Sequence, residues 1–291
     1  MKDNSMKIAI IGDVHGFWNE RDTEYFNGSD YDYILFTGDF RSYTESESSV
    51  AKRISSITKK SFLIPGNTDT SNLFQSAGEI FQNNFLIKGF QLNQNKKLER
   101  MKHSLGKIQL SAYETHTLST ENCKLNLIVL RPFAMGVNLS YAPILKKRFG
   151  IESLQDSKDR YIQIIDEGKE EAIIFLGHNG PFGLGSEPNS LWSSDFTKEP
   201  LDWGDSDYRF AIDYAKSKGN KVLAAIAGHM HHRVKHKNLE RNWLTQIENT
   251  NYINAAKVPR IFKRDDKTLH HHIELIINED LKTTVREILV E

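Results

Sequence analysis

One cysteine, Cys123, stands among 291 residues, so no disulfide can close within the chain. That scarcity suits a reducing compartment, and a cytoplasmic location is the expectation. No histidine or second cysteine accompanies Cys123 at metal-binding spacing, so it reads as a small buried apolar residue. An excess of charge of one sign is lacking too: Lys plus Arg and Asp plus Glu number 38 each. The balance provides no basic field for nucleic acid or an anionic membrane, and any affinity for phosphate must be local. Long apolar runs are also missing. The first, Ile8 to Ile11, is too short for a signal-peptide core or a membrane span, and no other stretch is long enough. There is no internal repeat, low-complexity tract or obvious linker, and a single domain over 1–291 is expected.

What the chain does have is a repeated local pattern. The run Tyr33 to Thr37 ends on Gly38 and Asp39. Ile8 to Ile11 ends on Gly12, with Asp13 and His15 behind it. Phe62 to Pro65 ends on Gly66 and Asn67, Ile173 to Leu176 on Gly177 and His178, and Val222 to Ala227 on Gly228, followed by His229 and His231. Five apolar runs thus end in glycine and a metal-competent side chain. A carboxylate at the end of a buried strand is costly unless a cation meets it, so Asp39 is expected to be a ligand shared between two metal ions.

Between these runs the pattern alternates. A helix is expected over Glu45 to Ile57, with Thr44 as its N-cap and Val50, Ile54 and Ile57 on one buried face. Alternating β and α segments predict an α/β fold with parallel strands and functional groups at their carboxyl ends. A short helix near Thr70, a strand around Asn84 to Ile87 and a solvated loop or helix from Gln91 to His103 come next. Strands are expected at Ile108 to Tyr113 and Leu125 to Leu130, then a helical region from Ile144 to Gly168 and a helix from about Ser206 to Ser217. Near the end, Tyr252 to Ala256, His271 to Ile277 and Thr283 to Val290 read as strands, the last two as a β-hairpin at about 270–290, which makes the sheets mixed. His270, His271 and His272 alternate faces on a strand and cannot all share one ion. His103 and His116 lack ligand-like spacing and read as surface or hydrogen-bonded side chains, although His116 lies past a strand end within possible reach of the site. Residues 181–207 are rich in Gly, Pro and aromatics without periodicity, the composition of a lid or recognition insert. No Gly-Lys-Ser/Thr follows its glycines, so it is not a nucleotide P-loop. Trp192 and Trp203 either stack on an aromatic leaving group or staple the insert to the body.

The i, i+2 spacing of Asp13 with His15 and of His229 with His231 lets each pair reach one ion from an extended segment. Oxygen and imidazole donors without thiolate suit Mn, Fe or Zn, with Mn favoured here, and exclude a cysteine-type structural zinc site. Two divalent ions about 3.5 to 4 Å apart can hold an attacking hydroxide between them and clamp a phosphate during in-line displacement. The donor set carries negative charge only on Asp13 and Asp39, which leaves the pair of ions net positive.

The ordered motifs Gly12-Asp13-Val14-His15-Gly16, Gly38-Asp39, Gly66-Asn67-Thr68-Asp69, Gly177-His178 and Gly228-His229-Met230-His231 closely resemble the calcineurin-like metallophosphoesterase superfamily from residue 8 to about 256. The resemblance implies a four-layer αββα sandwich of mixed sheets with a dinuclear centre. It implies Asp13, His15, Asp39 and His231 at one metal and Asp39, Asn67, His178 and His229 at the other. Gly180-Pro181 and Asn254 to Arg260 resemble features of a cyanobacterial and plastid subgroup. In one departure Thr68 stands where many members carry a histidine thought to protonate the leaving group, and a threonine hydroxyl is no general acid near neutral pH. Relatives without that histidine include phosphodiesterases, so the expected function is a phosphodiesterase acting on a small phosphoester. Asp69, which orients the histidine elsewhere, is expected to cap the following helix. Arg41 and His232-Arg233, beside the ligand motifs, are candidates to hold phosphate or supply the proton. The alternatives are a non-catalytic metal-binding or partner-binding scaffold and, less favoured, a phosphomonoesterase or a nuclease. Neither a membrane nor nucleic acid is an expected partner, and the oligomeric state stays open.

Overall fold

The computed structural model describes residues 5–70, 93–235 and 237–291. The expected helix start near Thr70 and the strand around Asn84 to Ile87 fall almost wholly outside those residues.

The apolar runs fold as strands whose two faces meet different neighbours. In β1 (Met6–Ile11), Met6, Ile8 and Ile10 face one layer while Ala9 and Ile11 face another. Next to it lie β2 (Tyr33–Phe36), β3 (Lys60–Leu63) and the short β4 (Gln109–Leu110), all parallel. The other flank of β1 pairs antiparallel with β12 (Lys267–Ile277), which also pairs with β11 (Ile261–Arg264) and β13 (Thr283–Val290). The second sheet runs in the order β5 (Glu114–Ser119), β6 (Lys124–Val129), β7 (Ala172–Leu176), β8 (Lys221–Ala227), β10 (Thr250–Asn254), β9 (Leu244–Ile247). Its four middle strands are parallel and its two edges antiparallel.

Three apolar clusters make the layers. Ile8, Ile10, Leu35 and Phe62 of the first sheet meet Leu127, Val129, Ile174 and Ile226 of the second, so the sheets pack face to face. Helices α1 (Glu20–Gly28), α2 (Glu47–Ile54) and α3 (Gln94–Ser104) cover the outer face of the first sheet through Phe26, Val50, Ile54 and Met101. Helices α4 (Ala142–Phe149), α5 (Leu154–Asp166) and α6 (Ser206–Ser217) cover the second through Ile144, Tyr161, Ile165, Tyr208 and Ile212. The result is an αββα sandwich. Among the described residues no helix is long and apolar enough to cross a membrane.

Local differences from the sequence reading have local causes. Helix α2 is capped by Ser46, whose hydroxyl accepts the Ser49 N–H at 3.2 Å, and not by Thr44. Thr44 is held in a preceding turn, where the Ser42 hydroxyl accepts the N–H groups of Thr44 and Glu45 at 3.3 and 3.0 Å. The helical region from Ile144 to Gly168 is two helices, because Gly150 ends α4 in the left-handed conformation at φ 73° and Ser153 starts α5 with a capping box. Strand β5 was not expected, being a polar edge strand without clear alternation. The three consecutive histidines of β12 are buried against three separate partners: His270 against Asp22 at 2.9 Å, His271 against Glu287 at 3.1 Å and His272 against the Tyr31 hydroxyl at 2.8 Å. Cys123 is buried.

Candidate metal centre

The loops after β1, β2, β3, β7 and β8 crowd together, and glycine is what lets them approach. A Cβ on Gly66 would stand 2.2 Å from Asp39 Oδ1, and one on Gly228 would stand 2.2 Å from Asp13 Oδ1. With any other residue at either position the carboxylate would have to shift. The strand–glycine–ligand pattern therefore records close packing of the functional loops against one another.

In that space the side chains converge as two groups. Asp13, His15 and His231 offer donor atoms that all lie within 4.8 Å of one another, and so do Asp39, His178 and His229. Asp39 faces both: Oδ2 is 3.6 Å from His15 Nε2 and Oδ1 is 3.6 Å from His178 Nε2. Asn67 Oδ1 joins the second group, 2.8 Å from His178 Nε2 and 3.0 Å from His229 Nδ1. In the first, the Nε2 atoms of His15 and His231 are 3.2 Å apart, with Asp13 Oδ2 3.5 Å from His231 Nε2.

Backbone carbonyls fix the ring orientations. His15 Nδ1 donates to Arg41 O at 2.9 Å, and His178 Nδ1 donates to Thr37 O at 2.6 Å. A carbonyl only accepts, so in the neutral rings the protons sit on Nδ1 and both Nε2 lone pairs point inward. There they meet further acceptors, the carboxylate of Asp39 and the amide oxygen of Asn67. Acceptors aimed at a common point fit a cation, and this mix of carboxylate, amide and imidazole suits a divalent ion with oxygen and nitrogen preference. The proton equilibria respond to the same crowding. Burial opposes charge on His178, yet Asp39 and Asp13 outweigh it and raise its pKa. Burial and the charge of His178 push His229 down to about 3. Asp13 is held well below the carboxylate range because its hydrogen bonding to His231 and the charges of His178, His231 and His15 exceed the burial that raises it.

Two supporting roles escaped the sequence reading. Thr37, at the end of β2, offers its carbonyl to His178 and its hydroxyl to Asp13 Oδ1 at 3.2 Å. Asp69, fully buried, accepts the N–H groups of Gly66, Asp39 and Phe40 at 2.8, 3.0 and 2.7 Å. These bonds tie the β3 loop to the β2 loop, which is a different task from the helix cap expected of it. Burial and the neighbouring Asp39 carboxylate push Asp69 up to about 7, against the pull of those N–H groups.

The remaining candidates divide. Thr68 gives its backbone N–H to Asp39 Oδ1 at 2.9 Å. Arg41 supports His15 through its carbonyl. His232 is a correction: it is buried, its Nε2 donates to Asn254 O at 2.8 Å, and burial pushes its pKa down to about 4, so it carries no spare proton near neutrality. His116 hydrogen-bonds with Ser111 at 2.7 Å and lies over Phe62, away from both donor groups. Trp192 is also resolved. It is fully buried, its ring fills the space over Gly180 and its Nε1 donates to Gly228 O at 3.3 Å, so it staples the insert and cannot stack on a leaving group. The insert is closed at its base by Asp205 N–H to Gly180 O at 2.7 Å and Phe182 N–H to Asp205 O at 3.1 Å. The buried Arg131 holds that base in turn, meeting Asp205 at 2.9 Å and Asp207 at 2.7 Å. Trp203 is partly exposed, donates to the Met135 carbonyl and meets Phe196 edge-on at 4.8 Å.

Comparison with known proteins follows the same lines. The family model described as calcineurin-like phosphoesterase matches residues 6–233. No curated protein matches the sequence. Among solved structures, the chain is similar to TT1561 of Thermus thermophilus, with a TM-score of 0.52 and 8% identity over 97% of this chain and 98% of that one. It is also similar to the phosphopantetheinyl hydrolase of Mycobacterium tuberculosis, with a TM-score of 0.51 and 14% identity over 87% of this chain and 90% of that one. At such identities the likeness is one of fold.

Proposed function

The chain belongs to the calcineurin-like phosphoesterase family and is a metal-dependent hydrolase of phosphoester bonds; from that premise we propose that it is a phosphodiesterase. In this reading Asp13, His15, Asp39 and His231 hold one divalent ion and Asp39, Asn67, His178 and His229 hold the other, with manganese the favoured metal. The observation that carries the assignment is the Asp39 carboxylate, which turns one oxygen toward each donor group. When bound, two such ions supply Lewis acidity, neutralising phosphate oxygens and acidifying water. The protein supplies position and charge balance. Asn67, an amide where a third carboxylate would lower the attraction for phosphate, keeps the centre positive. Thr37 and Arg41 hold the rings of His178 and His15 through their carbonyls, and Thr68 holds Asp39 through its N–H.

The diester preference rests on the lack of a general acid at position 68. Thr68 occupies the place of the family's acid, and the buried His232 is neutral. A monoester's loose transition state loads charge onto the leaving oxygen, so the loss of a donor weighs most on monoesters. The test compares manganese-loaded wild type with Asp39→Asn, measuring metal content and the hydrolysis of bis(p-nitrophenyl) phosphate and p-nitrophenyl phosphate. Wild type should favour the diester in kcat/KM, and Asp39→Asn should lose metal and activity. A monoester preference would overturn the diesterase reading, and an Asp39→Asn protein with full metal content and rate would overturn the ligand assignment.

A further inference from the structure

Beside His231 opens a groove of about 620 Å³, lined by Arg233, Lys235, Lys237, Asn238 and Val258 among others. Among the described residues its charged lining has one sign: three cations and no carboxylate. In a chain whose charges cancel overall, that is a local concentration at the edge of the metal centre.

The cations are held there by the way the segment is built. From His231 to Lys235 burial alternates, with His232 and Val234 inward and His231, Arg233 and Lys235 outward, as in an extended segment. The inward residues are anchored. His232 donates to Asn254 O at 2.8 Å, and Val234, 2% exposed, donates its N–H to Leu239 O at 3.0 Å. The Lys235 N–H is held by Asp195 Oδ2 at 3.2 Å, and Asp195 is in turn paired with Arg241 Nη2 at 3.1 Å, so a guanidinium other than those of the groove meets that carboxylate. Glu240 faces Arg233 across a backbone bridge but does not line the groove. Residues two apart on an extended chain are separated by up to about 7 Å, so Arg233 and Lys235 stand at increasing distance from His231 along one wall.

We propose that this groove binds a second phosphate group of the substrate, so that the enzyme acts on phosphodiesters that carry another phosphate a short spacer away from the scissile one. The inference rests on the diesterase reading and narrows it. A phosphate reacting at the His231 side of the centre leaves the rest of the substrate to extend along a wall of fixed cations. A second dianion there gains charge-assisted hydrogen bonds that a neutral group does not.

Two esters with the same scissile bond and leaving group separate the possibilities: thymidine 5′-(p-nitrophenyl phosphate) and its 3′-phosphorylated counterpart. With manganese-loaded enzyme the 3′-phosphate should lower KM about tenfold, a modest figure because the contacts are solvent-exposed. In Arg233→Ala/Lys235→Ala/Lys237→Ala the ratio of the two KM values should fall to about one, while the metal content matches wild type. Hydrolysis of both esters with equal KM in the wild type, or a preference that survives in the triple variant, would overturn the groove assignment and leave the diesterase reading standing. Hydrolysis of neither ester would overturn the diesterase reading and the groove assignment with it.

Discussion

Asn254 offers the cleanest measure of how the metal loops are held, because it is uncharged, fully buried and bonded only to backbone. Its Nδ2 donates to Leu191 O and Met230 O, both at 2.8 Å, and its Oδ1 accepts the Ala256 N–H at 3.0 Å. Leu191 belongs to the insert, and Met230 lies between His229 and His231. One side chain therefore joins the insert to the loop that carries two metal-competent histidines. Asn254→Ala removes the partner of two buried carbonyls and one buried N–H. At about 1 kcal/mol or more for each buried group left unsatisfied, the loss is at least about 3 kcal/mol. For a chain of this size about 2 °C of melting temperature corresponds to each kcal/mol, so the metal-free variant should melt at least about 6 °C below wild type. Asn254→Asp should be worse, since a carboxylate oxygen would then face a carbonyl in a dry site. Thermal unfolding of the metal-free proteins, followed by metal titration, provides the assay, and looser binding should accompany the lower melting point because Met230 is freed. An Asn254→Ala protein melting within 1 °C of wild type and binding metal equally well would refute the reasoning.

Two other outcomes are expected. Burial and the charge of Arg260 hold the pKa of His272 well below its ordinary value, so the folded protein keeps this ring neutral while the unfolded chain takes up a proton as the pH falls through about 6.5. Its contribution to stability is therefore intact above about pH 6.5 and declines below it, by up to about 1.4 kcal/mol per pH unit; His272→Gln should flatten the pH dependence of the unfolding free energy relative to wild type, and identical slopes would contradict it. The wild-type kcat should depend steeply on leaving-group pKa across an aryl diester series once chemistry is limiting, and Thr68→His should make the dependence shallower, general acids being worth about 10² to 10⁴ in rate. A shallow slope in the wild type would reveal another proton donor.

The grouping of the candidate metal centre was legible in the sequence wherever its signal was local. Each of the five loops that carry candidate donors follows an apolar strand and a glycine, a pattern complete within a few residues. The layered fold was legible for the same reason, since β1, β2, β7 and β8 are nearly continuous apolar runs. What escaped were groups whose partners lie far along the chain. Arg131 meets Asp205 and Asp207 over 70 residues away, and Asn254 meets Leu191 at a separation of 63; no spacing rule links such pairs. Trp192 could be read as staple or stacking platform until its surroundings were known. His232 looked like a proton donor by its place beside His231, but alternation along an extended segment turns it inward, and burial keeps its ring neutral with its one proton committed to Asn254 O.

The backbone of the centre carries a further burden that only the structure reveals. His15, Asp39 and His229 all have positive φ, at 42°, 52° and 67°. For residues with side chains this left-handed region costs about 1 to 2 kcal/mol each, so the three together store roughly 3 to 6 kcal/mol. Each strained residue is held through its own N–H. His15 donates to Asp39 O at 2.7 Å, His229 donates to the Asp13 carboxylate at 3.0 Å, and Asp39 donates to the Asp69 carboxylate at 3.0 Å. Two of the three acceptors are carboxylates, and hydrogen bonds to charged groups contribute about 1.5 to 3 kcal/mol each, which matches the strain in scale. The bonds also join the loops in series, from that of β8 to those of β1, β2 and β3, each fixed by a group from the next. Asp69 stands outside the donor set yet anchors the end of this series, because it holds the backbone of Asp39, whose carboxylate turns an oxygen toward each group. The convergence of the candidate donors is thus secured within the chain by carboxylates that accept N–H groups and by glycines that let the loops touch.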